Sequence, residues 1–171
     1  MKQVVLDALN KQINREMYSS NLYLSMSAYY ASINLSGFAK WMEIQAAEEM
    51  MHAMKFYHFL LQRGGKPIIG AIAEPPAVWD SPVKAFEDAY HHETLVTGWI
   101  YDCVAIARSE NDYATENLLQ WFVNEQVEEE ATALEIVEKL KLANNNPQII
   151  LMMDAQLGQR AAAPVSAGAT T

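Results

Sequence analysis

Along four long stretches of the chain, core-type residues recur at alternating three- and four-residue spacing, the seam of helices that pack as a bundle. The first seam reads Leu9, Ile13, Glu16, Ser20, Tyr23, Ser27, and the second Phe38, Met42, Gln45, Glu49, His52, Phe56, Phe59. The third reads Phe86, Ala89, Glu93, Val96, Ile100, Cys103, and the fourth Leu119, Phe122, Gln126, Glu129, Ala133, Ile136, Leu140. Helix breakers fall between these stretches. Asn34-Leu35-Ser36-Gly37 ends a first helix over about residues 2–33, and Ser36 is the expected N-cap of a second reaching about Arg63. Gly64-Gly65 stops that helix, and residues 66–81 have no helical pattern. Ser81-Pro82 is an N-cap followed by proline at the first helical position, and opens a third helix to about Glu110. Asn111-Asp112 opens a fourth, to about Ala143, and a short fifth is expected over Pro147–Leu157. Short breaks within each pair make antiparallel hairpins, and the long link can run the length of a bundle. The expected fold is an all-α four-helix bundle with one long crossover and a short fifth helix, as one domain over residues 1–158. Residues 159–171 are small and of low complexity, and are expected to form a mobile tail.

Each seam is apolar at its ends and carries a carboxylate near its middle: Glu16, Glu49, Glu93 and Glu129. One unpaired buried carboxylate costs several kcal/mol. Four of them, with no lysine or arginine on the same seams, require protonation or a bound multivalent cation. Glu49-Met50-Met51-His52 puts a carboxylate and an imidazole on one helix face. Oxygen donors with one histidine suit iron or manganese, whereas a structural zinc site would use thiolates. The fourth helix has Gln126-Val127-Glu128-Glu129 where a symmetric site would place a second histidine, so two unequal metal positions are expected. Gln126 lies on the same face, as a ligand or as a hydrogen-bond partner of one. Glu48, Glu125 and Glu128 flank the seam, either as a solvated acidic face or as a looser third position sharing Glu129.

Charge then becomes informative. The 171 residues carry 12 basic and 21 acidic side chains, a net charge of −9. That balance disfavours binding to nucleic acid or an anionic membrane. Setting aside the seven acids at the candidate site leaves 14 acidic residues against 12 basic, a balance of −2. The surplus is therefore concentrated at one place. Cys103 is the only cysteine and is expected to be a small buried hydrophobe. There is no signal-peptide pattern and no apolar run of membrane-spanning length, so a cytoplasmic location is expected.

Tyr18-Ser19-Ser20 after Glu16, Ala47-Glu48-Glu49-Met50-Met51-His52, and Asn124-Glu125-Gln126-Val127-Glu128-Glu129-Glu130 resemble the non-haem bacterial ferritins, across about residues 3–158. The resemblance implies a ferroxidase: Glu16, Glu49 and His52 hold a first iron, and Glu49 bridges to a second held by Glu93 and Glu129 with Gln126 nearby. It places Glu48, Glu125, Glu128 and Glu129 at a third iron position, and Tyr23 and Trp121 beside the pair. It implies iron storage in a hollow homo-oligomeric shell of twenty-four subunits, with Fe(II) oxidised by oxygen or peroxide. Haem is not expected, although Met50 falls at the haem-ligating position of bacterioferritins. Of the acidic pair lining animal three-fold pores, Glu116 matches one position and Leu119 occupies the other. His58, His91 and His92 are expected at the helix surface or in solvent. The alternative is another di-iron carboxylate oxidase or peroxidase on the same bundle, without mineral storage.

Overall fold

A computed structural model describes residues 1–161 of the chain. It contains helices α1 (Gln3–Ser32), α2 (Ser36–Gln62), α3 (Pro82–Ser109), α4 (Tyr113–Ala143) and α5 (Pro147–Leu157), and no strand among the described residues. The predicted helices are all present, with ends within two residues of expectation. The tail expectation falls largely on residues 162–171, which lie outside the described residues. No described helix is long and apolar enough to cross a membrane.

Local chemistry starts most of these helices. Ser81 accepts from the Lys84 amide at 3.1 Å, Asp112 from Thr115 at 3.1 Å, and Asn146 from Gln148 at 3.0 Å. The breaks between helices are turned by Asn34, Asn111, Asn144 and Asn145, all with positive φ, which asparagine tolerates better than most residues. One cap differs from expectation. Ser36 is already inside α2, makes no capping hydrogen bond, and leaves Leu35 at the N-cap position. The cap comes instead from α5: Asp154 Oδ1 accepts from the Gly37 amide at 2.7 Å and from Phe38 at 3.0 Å. A carboxylate also complements the positive end of the α2 dipole.

This contact explains Gly37. A Cβ there would lie 1.7 Å from the Asp154 carbonyl oxygen. Gly37→Ala is expected to push α5 away and cost about 3 kcal/mol, since neither backbone can yield without moving a helix. Asp154→Ala, which removes the cap alone, should cost about 1 kcal/mol. Urea unfolding midpoints of the two variants check both the sign and the order.

The crossover, residues 63–81, has no regular structure but is tied to α1. Asn10 accepts from the Ile68 amide at 2.7 Å and donates to the Lys66 carbonyl at 3.2 Å. One turn later Asn14 donates to the Ile68 carbonyl at 2.9 Å and accepts from Gly70 at 2.6 Å. Two amide side chains thus satisfy backbone groups that a strand or helix would otherwise pair.

The helices leave one face open. α1 lies against α2 and α3, and α3 against α4, whereas the α2 and α4 backbones stay more than 8 Å apart. Side chains bridge part of that gap, with Phe56 and Phe122 stacked 4.0 Å between centroids. Between α2 and α4 runs a cleft of about 940 Å³. The core is split in two. One apolar cluster, around Met26, Tyr30, Phe38, Met42 and Phe86, lies toward α5. The other, around Leu9, Ile13, Phe56, Ile100 and Leu119, lies at the opposite end and includes Cys103. The seam carboxylates occupy the layer between them.

Candidate metal centre

That middle layer receives side chains from all four long helices. Glu16, Glu49, His52, Glu93 and Gln126 are buried, and Glu129 is nearly so. Donor atoms of Glu16, Glu49 and His52 lie within 4.8 Å of one another, as do those of Glu49, Glu93 and Glu129, and those of His52, Glu125 and Glu129. Each pair of these triads shares one residue: Glu49, Glu129 or His52. Glu49 is common to the first two triads. Its Oε2 is 3.5 Å from His52 Nδ1.

The electrostatics favour a cation. Burial raises the Glu16 carboxyl well above the usual carboxylate range, and Glu49 beside it adds to the rise. Burial does the same to Glu49, with Glu93 adding, and to Glu129, with Glu49 adding. Burial also raises Glu93, but hydrogen bonds from Tyr23 and Gln126 partly offset it. Oε2 of Glu16 and Oε2 of Glu129 are buried without any hydrogen-bond partner. Orphaned carboxyl oxygens in a largely buried layer are costly, and a divalent ion would relieve both the desolvation and the mutual repulsion. A set of hard oxygens and one imidazole, with no thiolate, matches iron or manganese chemistry.

Around the triads, neutral donors hold the carboxylates in place. Gln12 donates to Glu16 Oε1 at 2.8 Å. Gln45 donates to Glu49 Oε1 at 3.2 Å and to Glu129 Oε1 at 3.0 Å. The Tyr23 hydroxyl donates to Glu93 Oε1, and Gln126 Nε2 donates to Glu93 Oε2 at 3.1 Å. In this arrangement Gln126 is a hydrogen-bond partner of Glu93 through its Nε2. Trp121 meets the His52 ring edge-on at 5.4 Å, and Lys55 sits 3.3 Å above the indole, closing the rim beside the histidine.

The flanking acids divide. Glu125 joins His52 and Glu129 in the third triad. Glu128 is exposed on the cleft wall, as is Met50. Glu48 turns its carboxylate to the guanidinium of Arg160. Glu116 pairs with Arg108 at 2.6 Å, while Leu119 is buried in the core. His58 and His91 are exposed, as expected. His92 is not: it is 6% exposed and shares a 2.8 Å hydrogen bond with Ser19 Oγ. Burial pulls its imidazole down to about 4, so it is neutral at physiological pH. Its i−73 partner on α1, invisible in local spacing, explains the misplacement. Burial pushes the Cys103 thiol up to about 11, which keeps it protonated and unreactive.

Sequence reasoning assigned no role to Gln12, Gln45 or Arg160. The first two had a signal: each glutamine stands four residues before a seam glutamate, where an amide can reach the carboxylate on the same face. Arg160 had none, because it lies 112 residues from Glu48 along the chain.

The fold and donor set define a four-helix bundle whose central carboxylates and one imidazole could hold cations. Residues 6–143 match the Ferritin-like domain family. The chain belongs to that family. It is 46% identical over 154 residues to a bacterial non-heme ferritin of Bacteroides fragilis, covering 90% of this chain and 96% of that one. It is 36% identical over 157 residues to a bacterial non-heme ferritin of Escherichia coli O157:H7, covering 92% and 95%. An open-pore ferritin of the archaeon Archaeoglobus fulgidus superposes with a TM-score of 0.93 at 50% identity, over 94% of this chain and 99% of that one.

Proposed function

We propose that this chain is an iron-storage ferritin that oxidises Fe(II) at the centre of its bundle and deposits the ferric product inside a hollow homo-oligomeric shell. The observation that carries this reading is the pair of buried triads joined through Glu49, with orphaned oxygens on Glu16 and Glu129. Family membership and the named ferritin relatives support it. Iron is the substrate. Two Fe(II) ions are held side by side, by Glu16, Glu49 and His52 and by Glu49, Glu93 and Glu129. Each gives up one electron, and one O₂ that accepts both leaves, with two protons, as hydrogen peroxide. Anionic oxygen donors stabilise Fe(III) more than Fe(II), which drives the oxidation. Peroxide as oxidant accepts the same two electrons and, with two protons, leaves as two water molecules. The His52–Glu125–Glu129 triad, which shares its imidazole with the first position and so is not filled together with it, is a way station through which iron moves between the pair and the cleft.

A shell of twenty-four subunits in the cytoplasm fits the family resemblance and the fifth helix. Purified protein given Fe(II) and oxygen is expected to take up on the order of 10³ irons per shell while staying soluble. Iron-edge anomalous maps of iron-soaked crystals should show two peaks at the joined triads. Turnover of Fe(II) without mineral retention would instead favour a di-iron oxidase or peroxidase.

A further inference from the structure

Just past the C-cap of α5, the chain turns back over the cleft. Lys40 donates to the Gly158 carbonyl at 2.8 Å, and this anchors the turn that presents Arg160. The Arg160 guanidinium lies 4.5 Å from the Trp41 ring centroid, and its Nη1 donates to the Trp41 carbonyl at 3.3 Å. Nη1 also donates to Gln45 Oε1 at 3.0 Å, and Nη2 pairs with Glu48 Oε2.

Arginine has donors and no acceptor, so it can meet only the oxygen of the Gln45 amide. The amide nitrogen must then point the other way. Its two hydrogens reach Glu49 Oε1 and Glu129 Oε1. Those contacts leave Oε2 of each carboxylate for the metal positions. Glu49 Oε2 faces His52, and Glu129 Oε2 has no partner. The same guanidinium engages Glu48, which is not among the members of the third triad, His52, Glu125 and Glu129.

We propose that Arg160 is a positioning residue for the metal centre. It fixes the Gln45 amide so that Glu49 and Glu129 present one oxygen each to cations, and it keeps Glu48 out of the third position. The inference rests on the metal-binding reading of the bundle centre. The planar fork is essential to both tasks: a lysine could neutralise Glu48 but could not also bridge to Gln45 and lie on Trp41.

Anaerobic Co(II) titration of the full-length protein by calorimetry, with the visible Co(II) spectrum, tests this. In R160Q, affinity at the paired positions should fall about tenfold, the usual cost of removing a partner that orients a ligand. One further Co(II) per chain should bind as Glu48 joins Glu125 and Glu129. R160K should show the tenfold loss without the extra Co(II), because its charge still occupies Glu48. A purely structural tail contact would leave the isotherm and spectrum unchanged in both variants, and that result overturns the proposal. A wild-type protein that binds no Co(II) at the bundle centre overturns the metal-binding reading itself and this inference with it.

Discussion

Replacing Glu49 and His52 together with alanine is expected to abolish the fast phase of Fe(II) oxidation, slowing it about 100-fold or more. Glu49 contributes to both of the triads that it joins, and His52 is the only nitrogen donor within them. Without the bridge, the two irons are no longer held at a distance where a single oxidant can take both electrons. A one-electron route through isolated ions remains and accounts for the residual slow phase. Tyr23 and Gln126 still hold Glu93, so the bundle itself should stay folded. Stopped-flow absorbance of the ferric product, with far-UV circular dichroism as the folding control, makes the measurement. A wild-type rate in the double variant would mean that the pair of triads is not the oxidation site.

The second large effect concerns pH. Glu16, Glu49, Glu93 and Glu129 all carry carboxyl pKa values raised above the ordinary 4.5, chiefly by burial. The folded chain therefore binds more protons than the unfolded chain above that value. Stability is at its fullest below about pH 4.5 as far as these groups are concerned, and falls as pH rises through their folded-state values. The metal-free protein should thus unfold at lower urea near pH 8 than near pH 5. Two groups work in the opposite sense. Burial holds the His92 imidazole down at about 4, so its contribution is lost as pH falls below the ordinary 6.5, and the larger effect of the four carboxyls must outweigh it. Asp112 is the other. Hydrogen bonds from Arg63 and from the Thr115 backbone outweigh burial and hold the Asp112 carboxyl low, so its contribution is lost only as pH falls through the acid range. A divalent ion reverses the trend at the centre, because it displaces the protons and binds more tightly as pH rises. Urea midpoints across pH, with chelator and with Co(II), should give slopes of opposite sign. Glu49→Gln should flatten the chelator curve and raise the metal-free midpoint near pH 8. A metal-free midpoint that climbs from pH 5 to 8 would show that these carboxyls are not buried as drawn.

The two effects have one origin. Burying four carboxyls costs the centre stability, and the apolar clusters on either side offset that cost. A bound divalent ion would stabilise the fold by an amount that grows with the logarithm of its concentration relative to its Kd. An α5 contact at Gly37 closes one end, and Phe56 stacked on Phe122 spans α2 and α4 at the other side of the site.

Helices, seams and the face shared by Glu49 and His52 were legible in the sequence because each is a short-range property. A period of about 3.6 residues puts Glu49 and His52 on one face whatever surrounds them. Four seams with a mid-helix acid leave few ways to satisfy that charge. Local sequence also showed the cap at Ser81 and the opening of the fourth helix at Asn111-Asp112. It misled at Ser36, where Asp154 displaces the local candidate, and at His92, whose ring is buried beside Ser19.

What tertiary structure alone decided are contacts between residues far apart in the chain. It determined that Glu48 faces Arg160, while His52 completes the third triad with Glu125 and Glu129. It set which oxygen of each carboxylate Gln45 holds and which is left for a cation. Spacing states which side chains share a helix face, but the rotation and separation of the helices determine which oxygen points where. Those are fixed by the packing of both apolar clusters and by the docking of α5.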